Sequence, residues 1–146
     1  MDLEKLICSA LDLLRPAISD LLLRKSGKKG FYWVVLDPKT GAVAVTGKYG
    51  EPDDRHDYAA IALSKANQAW GSGLPNRLIP PTALEPGDTP YYGSWVCEGI
   101  ACGVSGVEPW YDELLSMWLS TTTAEMAFVD LQIWKQQNPE ADFLPS

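Results

Sequence analysis

The spacing of hydrophobic residues changes several times along the chain, and each change marks a structural element. Residues 2–24 carry apolar side chains at helical spacing, and Pro16 is placed where it would kink this helix or start a second one. Phe31–Leu36 and Ala42–Thr46 are short apolar runs on either side of the turn Asp37–Gly41. The first third of the chain therefore predicts a helix followed by a β-hairpin.

The middle of the chain predicts a helix, a long loop and a second pair of strands. Over residues 56–70, alanines recur at spacings of three and four and form a stripe that suits close packing on a sheet. Five prolines follow within residues 72–90, a long connection of the kind that serves as a lid, a binding loop or a stiff surface connector. Tyr91–Val96 and Ile100–Val104 then form two further apolar strands.

Helical patterns close the chain. Pro109 is placed as a first helical residue, and the capping-box spacing of Thr122 and Glu125 predicts a last helix that starts near Ala124 and ends at Asn138. This order of elements predicts an α+β fold, with helices packed against an antiparallel sheet. At this length, residues 1–146 are expected to form a single domain, with a C-terminal helical extension.

Charge and composition restrict the partners and the location. The net charge of −7 argues against binding to a nucleic-acid backbone. No apolar run approaches the roughly 18 residues that a membrane span requires. The acidic start of the chain lacks the positive region of a signal peptide, and three cysteines make an odd number for a secreted scaffold. We therefore expect a cytoplasmic protein without a membrane partner.

The strand that ends in Gly-Val-Ser-Gly is the most specific candidate for one wall of a site. Glycines in Ile100–Gly106 allow a backbone or a ligand to approach closely. The helix that follows presents free N–H groups beside Ser105, and Asp112 lies in its first turn. Ser105 with these N–H groups is therefore a candidate anion site.

The single histidine, His56, allows two interpretations. It lies at the predicted start of a helix among aspartates, where it is either an exposed residue near the helix cap or an axial ligand of a metal or haem. A hydrolase would need it as a base, but no nucleophile elbow is present. The phosphate loop, the dinucleotide fingerprint and the His-Glu-x-x-His motif are absent as well.

Lys65 lies near the packed side of the alanine-striped helix, where its amine either reaches the surface along its aliphatic chain or pairs with a carboxylate. Asp112 is the candidate partner, in an ion pair that fixes the helix to the strand. Alternatively, Lys65 contacts the carboxylate of a ligand. Among the six tryptophans, Trp110 lies beside the glycine-rich strand, where it either packs in the core or lines an aromatic pocket or a subunit interface.

These motifs together resemble a known family. The order strand, Asp37–Gly41 turn, strand and helix with Lys65, followed by Ile100–Gly106 and Asp112, is similar to the GlcG/HbpS-like family, a haem-degrading or haem-binding group that includes the C-terminal domain of PduO-type proteins. The resemblance covers about residues 30–120. Lys48-Tyr49-Gly50 stands where the family often has an Arg-Met-Asp segment, so the ligand does not transfer directly.

The resemblance implies a profilin-like fold with about five antiparallel strands, a homo-oligomer and, in some members, a bound haem or corrinoid. The leading hypothesis is a small-molecule-binding protein for haem or a related tetrapyrrole, with the loop 72–90 as a lid. Its expected ligand-binding residues are His56 (also the metal ligand), Lys65, Ser105, Asp112 and Trp110. The alternatives are an enzyme that degrades haem or acts on a small organic acid, and an oligomeric interaction scaffold without catalysis.

Overall fold

The computed structural model describes residues 2–146, and Met1 lies outside the described residues. Helix α1 (Leu3–Asp20) begins at Asp2, whose carboxylate accepts the Lys5 N–H at 3.3 Å. Of the two outcomes expected at Pro16, a kink or the start of a second helix, the second does not occur, because α1 is continuous through Pro16. The chain instead passes into a turn of π-helix, Leu21–Ser26, that ends where Gly27 adopts a positive φ of 71°. Pro16 lies on the exposed side of α1, and the buried apolar face of the helix continues past it to Ile18.

The four strands form one antiparallel sheet. They are β1 (Gly30–Leu36), β2 (Val43–Gly50), β3 (Ser94–Cys97) and β4 (Ile100–Ser105), in the spatial order β2-β1-β4-β3. This confirms the α+β class, whereas the expected number of about five strands is slightly too high for the described residues. The loop between the two hairpins forms two short 3-10 turns instead of a further strand.

The two faces of the sheet carry different helices. Helix α2 (Tyr58–Ser72) covers one face, and α1 packs beside α3 (Pro109–Gln137) on the other. Alternation along β1 explains the division, because successive strand residues point to opposite faces. Val34 and Leu36 pack with the alanines of α2, whereas Trp33 and Val35 join the larger core under α1 and α3.

The alanine stripe allows α2 to lie directly on β4. Ala62, Ala66 and Ala69 are fully buried, as the spacing predicted, whereas Ala59, the first alanine of the predicted stripe, is exposed in the first turn of the helix. Gly103 is the point of closest approach: a Cβ atom there would overlap the Ala62 carbonyl oxygen and lie 2.8 Å from the Ala66 nitrogen. Helix and strand backbones are thus in contact at Gly103, which places the end of β4 beside the middle of α2.

The C-terminal region is one helix, so the prediction of a separate helix near Ala124 is wrong. Helix α3 is continuous over 29 residues and ends at Asn138, the residue expected to end the last helix. The hydroxyl groups of this stretch bond to carbonyls instead of capping a new helix: Ser120 donates to Ile100 O at 2.6 Å and Thr123 to Leu119 O at 2.7 Å. A Ser/Thr-rich segment without glycine or proline therefore continues the helix.

The long loop before β3 is fixed by the amide of Asn76. Its Nδ2 donates to Gln68 Oε1 at 2.7 Å and to Tyr91 O at 2.9 Å. Its Oδ1 accepts from the Gly93 N–H at 3.1 Å and from the Ser94 hydroxyl at 2.9 Å. Asn76 thus occupies the Tyr91 carbonyl and the Gly93 N–H, and of these two residues only the Gly93 carbonyl bonds to β4, accepting the Val104 N–H at 3.1 Å. Strand β3 starts at Ser94 and not at Tyr91 as predicted.

The three cysteines are free and lie in different environments. Cys8 is exposed on α1, Cys97 is half-buried at the end of β3, and Cys102 is fully buried in β4. Cys97 is opposite Ile100 and Cys102 is opposite Trp95 in the β3–β4 register, so the two cysteines are not a cross-strand pair. Within residues 2–146, no group of three or more His, Cys, Asp or Glu side chains is arranged to hold a metal ion.

Candidate functional site

A cavity of about 210 Å³ opens where β4 ends and α3 begins. The chain between these elements turns at Gly106, whose φ is 125°. Side chains from α2, from the segment before it and from the start of α3 meet here; they include His56, Tyr58, Lys65, Tyr91, Ser105 and Asp112. The close approach of α2 to β4 described above brings these separate parts of the chain together.

A buried ion pair forms one side of the cavity. Lys65 Nζ lies 3.2 Å from Asp112 Oδ2 and donates a hydrogen bond to Val104 O at 2.8 Å. Lys65 is 1% exposed and Asp112 is 3% exposed. The other carboxylate oxygen accepts the Val107 N–H at 3.1 Å. The pair therefore ties the middle of α2 to the end of β4 and to the first turn of α3.

Burial opposes the charge on both members of this pair. It raises the pKa of Asp112 from 3.8 to about 6, although the nearby ammonium of Lys65 acts in the opposite direction. Burial also lowers the pKa of Lys65 below its ordinary value of 10.5, against the attraction of Asp112. As the pH falls through about 6, Asp112 gains a proton and the side of the cavity becomes more positive.

Ser105 and the start of α3 supply uncharged donors. Ser105 is 3% exposed and ends β4 at the cavity wall. No hydrogen bond from its hydroxyl is found within residues 2–146, so this hydroxyl remains available to a ligand. Glu108 precedes α3 without a side-chain cap, which leaves the first N–H groups of the helix without that partner.

His56 and Tyr58 lie at the opening of the cavity. His56 is exposed, and its ring makes an edge contact with that of Tyr58 at 5.6 Å between centroids. Asp57 caps α2 by accepting the Ala60 N–H at 3.1 Å, which fixes where the helix starts relative to His56. Burial raises the pKa of Tyr58, and the negative charge of Asp53 raises it further. The phenol is therefore a hydrogen-bond donor at neutral pH.

Four of the five residues proposed from the sequence line this cavity, and Trp110 does not. His56, Lys65, Ser105 and Asp112 come together, whereas Trp110 is 57% exposed and lies outside the lining. The helix turns by about 100° per residue, so Trp110 is rotated by roughly 160° away from Asp112 around α3.

Two tyrosines of the lining were missed by the sequence analysis. Tyr58 follows the capping Asp57 directly, so its place at the start of α2 was a usable signal. Tyr91 had no such signal, because it reaches the cavity through the long-range bond from Asn76. No residue of the loop 72–90 lines the cavity; only Tyr91, just after it, does so.

A larger groove lies elsewhere and lacks this chemistry. Its volume is about 470 Å³, and it runs between α1, the distal part of α3 and the C-terminal tail, lined by residues that include Asp2, Lys5, Met126, Trp134 and Leu144. The buried ionisable pair and the available hydroxyl are found at the smaller cavity. We therefore take the cavity near His56 as the candidate site.

Solved structures share this architecture. Protein ORFY of Klebsiella pneumoniae, described as DUF336, is 17% identical with a TM-score of 0.59, and the match covers 84% of this chain and 88% of that one. A double mutant of Streptomyces reticuli HbpS is 21% identical with a TM-score of 0.59, covering 83% of this chain and 85% of that one. A complex of PduOC with heme is 16% identical with a TM-score of 0.55, covering 83% and 91%.

At these identities the likeness establishes the fold. The chain has the α+β fold of HbpS and PduOC, and the resemblance to GlcG/HbpS-like proteins seen in the sequence is confirmed at that level. No family model matches the chain, and no curated protein matches it. Within the part of the chain that the structure describes, no helix combines the length and apolar character needed to cross a bilayer.

Proposed function

We propose that residues 1–146 form one small-molecule-binding domain and that haem is the first ligand to test at the cavity near His56. The observation that carries this proposal is the position of the only histidine at the opening of a cavity built on a buried ion pair. A neighbour of the same fold is described as a complex with heme, which supports the choice of ligand.

The residues present fit the iron better than they fit the whole ring. An exposed imidazole takes part in no ion pair among residues 2–146 and is an ordinary axial ligand of haem iron. The cavity of about 210 Å³, however, is below the roughly 300–1,000 Å³ of sites that enclose drug-sized ligands. Only an edge of a tetrapyrrole fits inside, so most of its surface would stay outside this protomer. Haem would supply an iron centre, while the chain supplies the imidazole and the polar cavity wall.

We expect haem to produce a saturable Soret band with the wild-type protein, and His56→Ala to weaken binding by roughly tenfold or more, about 1.4 kcal/mol. The titration is best performed in a Cys8→Ser background, because an exposed thiol is also an iron ligand. Added imidazole should restore the spectrum of the alanine variant.

Trp110→Ala is the matched control, since it removes an exposed aromatic ring that lies outside the cavity. It should leave affinity and spectrum unchanged. A band that never saturates, or that survives equally in His56→Ala, would remove haem and leave the fold assignment intact.

A small carboxylic acid is the second candidate, and the volume of the cavity favours it. The unbonded Ser105 hydroxyl and the start of α3 are suited to a carboxylate. Because protonation of Asp112 near pH 6 leaves the charge of Lys65 less neutralised, an anion should bind more tightly as the pH falls from about 7 to about 5.

Lactate is a convenient probe because it stays ionised over this range, and lactamide is its neutral control. We expect chemical shifts near Ser105 to respond to lactate, more strongly at the lower pH, and the response to be lost in Ser105→Ala. Equal responses to lactate and lactamide at both pH values would contradict an anion site.

A further inference from the structure

The amine of Lys65 has one hydrogen-bond donor that the protein does not use. An ammonium carries three N–H groups, and that of Lys65 has two acceptors within residues 2–146, the Val104 carbonyl oxygen at 2.8 Å and Asp112 Oδ2 at 3.2 Å. The side chain lines the cavity near His56, although it is only 1% exposed. A ligand in the cavity can therefore contact the amine itself.

Gly93 closes the ion pair on a side that is not part of the cavity. A Cβ atom at this position would lie 2.8 Å from Lys65 Nζ and 2.6 Å from Asp112 Cβ, and Gly93 does not line the cavity. Its backbone is held there by the Asn76 amide and by the Ser116 hydroxyl, which donates to Gly93 O at 2.9 Å. The amine is thus screened from bulk solvent on this side and open toward the cavity.

A buried lysine beside a carboxylate is suited to act as a nucleophile. An amine attacks a carbonyl group only after it has lost its proton, and burial lowers the pKa of Lys65, which raises the neutral fraction. Asp112 lies close enough to take that proton, and its pKa of about 6 allows it to accept and return a proton near neutral pH. A pair that only ties α2 to α3 needs no cavity beside the amine, so the cavity is the observation that points to chemistry.

The same cavity carries donors for a carboxylate. The Ser105 hydroxyl has no partner within residues 2–146, and the first N–H groups of α3 lack a side-chain cap. An acid bound at this junction of β4 and α3 lies beside the ion pair of Lys65 and Asp112. The volume of about 210 Å³ is below that of sites for drug-sized ligands, which restricts the acid to a short chain.

We propose that Lys65 forms a Schiff base with a short-chain 2-oxo acid bound in the cavity near His56. This inference rests on the carboxylate site proposed above, and it names the substrate class of that site. The carboxylate binds at Ser105 and the start of α3, and the carbonyl group next to it meets Lys65. A 2-oxo acid is the compact class of compound that carries both groups on neighbouring carbons.

The reaction can be written without any further reactant. Lys65 passes a proton to Asp112, and the neutral amine attacks the carbonyl carbon, so that a C–N bond forms while the carbonyl π electrons move to oxygen. That oxygen takes the proton from Asp112 and becomes a hydroxyl. A second N–H proton then passes through Asp112 to the hydroxyl, which leaves as water while the C=N bond forms. The iminium keeps one positive charge opposite the unchanged carboxylate of Asp112, so no buried charge loses its partner.

Reductive trapping identifies the lysine that reacts. Pyruvate and sodium cyanoborohydride are added to the folded protein at about pH 7, where exposed lysines are almost entirely protonated. Hydride reduces the imine to a stable secondary amine, which adds the mass of one pyruvate less one oxygen atom. Peptide mapping should show Lys65 labelled roughly tenfold or more above Lys39, an exposed lysine in the turn between β1 and β2. The mapping uses the wild-type protein, so it does not depend on the folding of a variant.

Two small molecules and two variants serve as controls. Acetone has the ketone without the carboxylate and should label Lys65 no more than Lys39. Lactate has the carboxylate without the ketone, so an excess of it should protect Lys65. Ser105→Ala should reduce the labelling of Lys65 at low pyruvate concentration by about fivefold or more, because a hydrogen bond to the carboxylate is lost. Trp110→Ala lies outside the cavity and should label like the wild type.

Three outcomes would overturn the inference, and they differ in what they leave standing. If lactate shifts the resonances near Ser105 but pyruvate labels Lys65 no more than Lys39, the carboxylate site stands and Lys65 is only the structural partner of Asp112. If neither acid binds near Ser105, the carboxylate site fails and the Schiff base fails with it. If acetone labels Lys65 as well as pyruvate does, the amine is reactive but does not select a 2-oxo acid.

Discussion

Gly103→Ala is expected to destabilise the protein by about 3 kcal/mol or more, a large effect for adding one methyl group. The new Cβ would collide with the Ala62 carbonyl oxygen and approach the Ala66 nitrogen to 2.8 Å. Both are backbone atoms of α2, so no side chain can rotate away, and the helix must move off the sheet. Urea unfolding followed by circular dichroism measures the loss.

Gly71→Ala is the matched control, because it makes the same chemical change near the end of α2. A Cβ at Gly71 meets nothing within 4 Å. Alanine also has the higher helix propensity, so this variant should be more stable than the wild type by roughly 0.5–1 kcal/mol. Equal effects at the two glycines would mean that the contact between α2 and β4 at Gly103 is not tight.

Breaking the buried ion pair should have the other large effect, about 3–5 kcal/mol for either single variant at the pH where the remaining group is charged. Asp112→Asn keeps an oxygen for the Val107 N–H but leaves the ammonium of Lys65 without its partner. Lys65→Met leaves the Asp112 carboxylate buried. The double variant should lose less stability than the sum of the two, because no unpaired charge remains.

The two single variants should respond to pH in opposite directions. The folded-state pKa of Asp112 is raised, so its contribution to stability is greatest below about pH 4 and declines as the pH rises through 6. Without the ammonium of Lys65, the pKa of Asp112 in the folded state is raised further, so Lys65→Met should regain part of its lost stability as the pH falls. The pKa of Lys65 is lowered in the folded state, so Asp112→Asn should regain stability as the pH rises toward 10.5.

Thermal unfolding of each variant across this pH range tests both directions. Stability losses that are equal for the two variants, and constant with pH, would show that packing and not charge determines the cost.

The parts of the fold that depend on local periodicity could be predicted from the sequence. The alanine stripe of α2 and the hairpin around Asp37–Gly41 follow from spacing and turn chemistry, and both are present. The continuity of α3 could not be predicted in this way. The hydroxyl of Ser120 bonds to Ile100 O, a residue of another element, and the same Ser/Thr-rich pattern also fits a helix start.

In the candidate site, too, some features could be predicted from the sequence and others could not. A buried lysine requires an acidic partner, so pairing Lys65 with Asp112 was a prediction from energetics, and the structure places them 3.2 Å apart. The start of β3 and the position of Tyr91 depend instead on the Asn76 amide, whose partners lie up to 18 residues away. Nothing in the local pattern around Asn76 distinguishes it from a polar residue of an exposed loop.

The difference in burial between Cys8 and Cys102 allows transient opening of the protein core to be followed by the rate of thiol labelling. Thiol reagents attack the thiolate, and burial raises the pKa of the Cys102 thiol while Cys8 stays exposed. Cys102 is fully buried in the core that α1 and α3 cover, so a reagent reaches it only when these helices separate from the sheet. The rate of alkylation at Cys102, counted against immediate labelling at Cys8, therefore reports how often the centre of the molecule opens under native conditions.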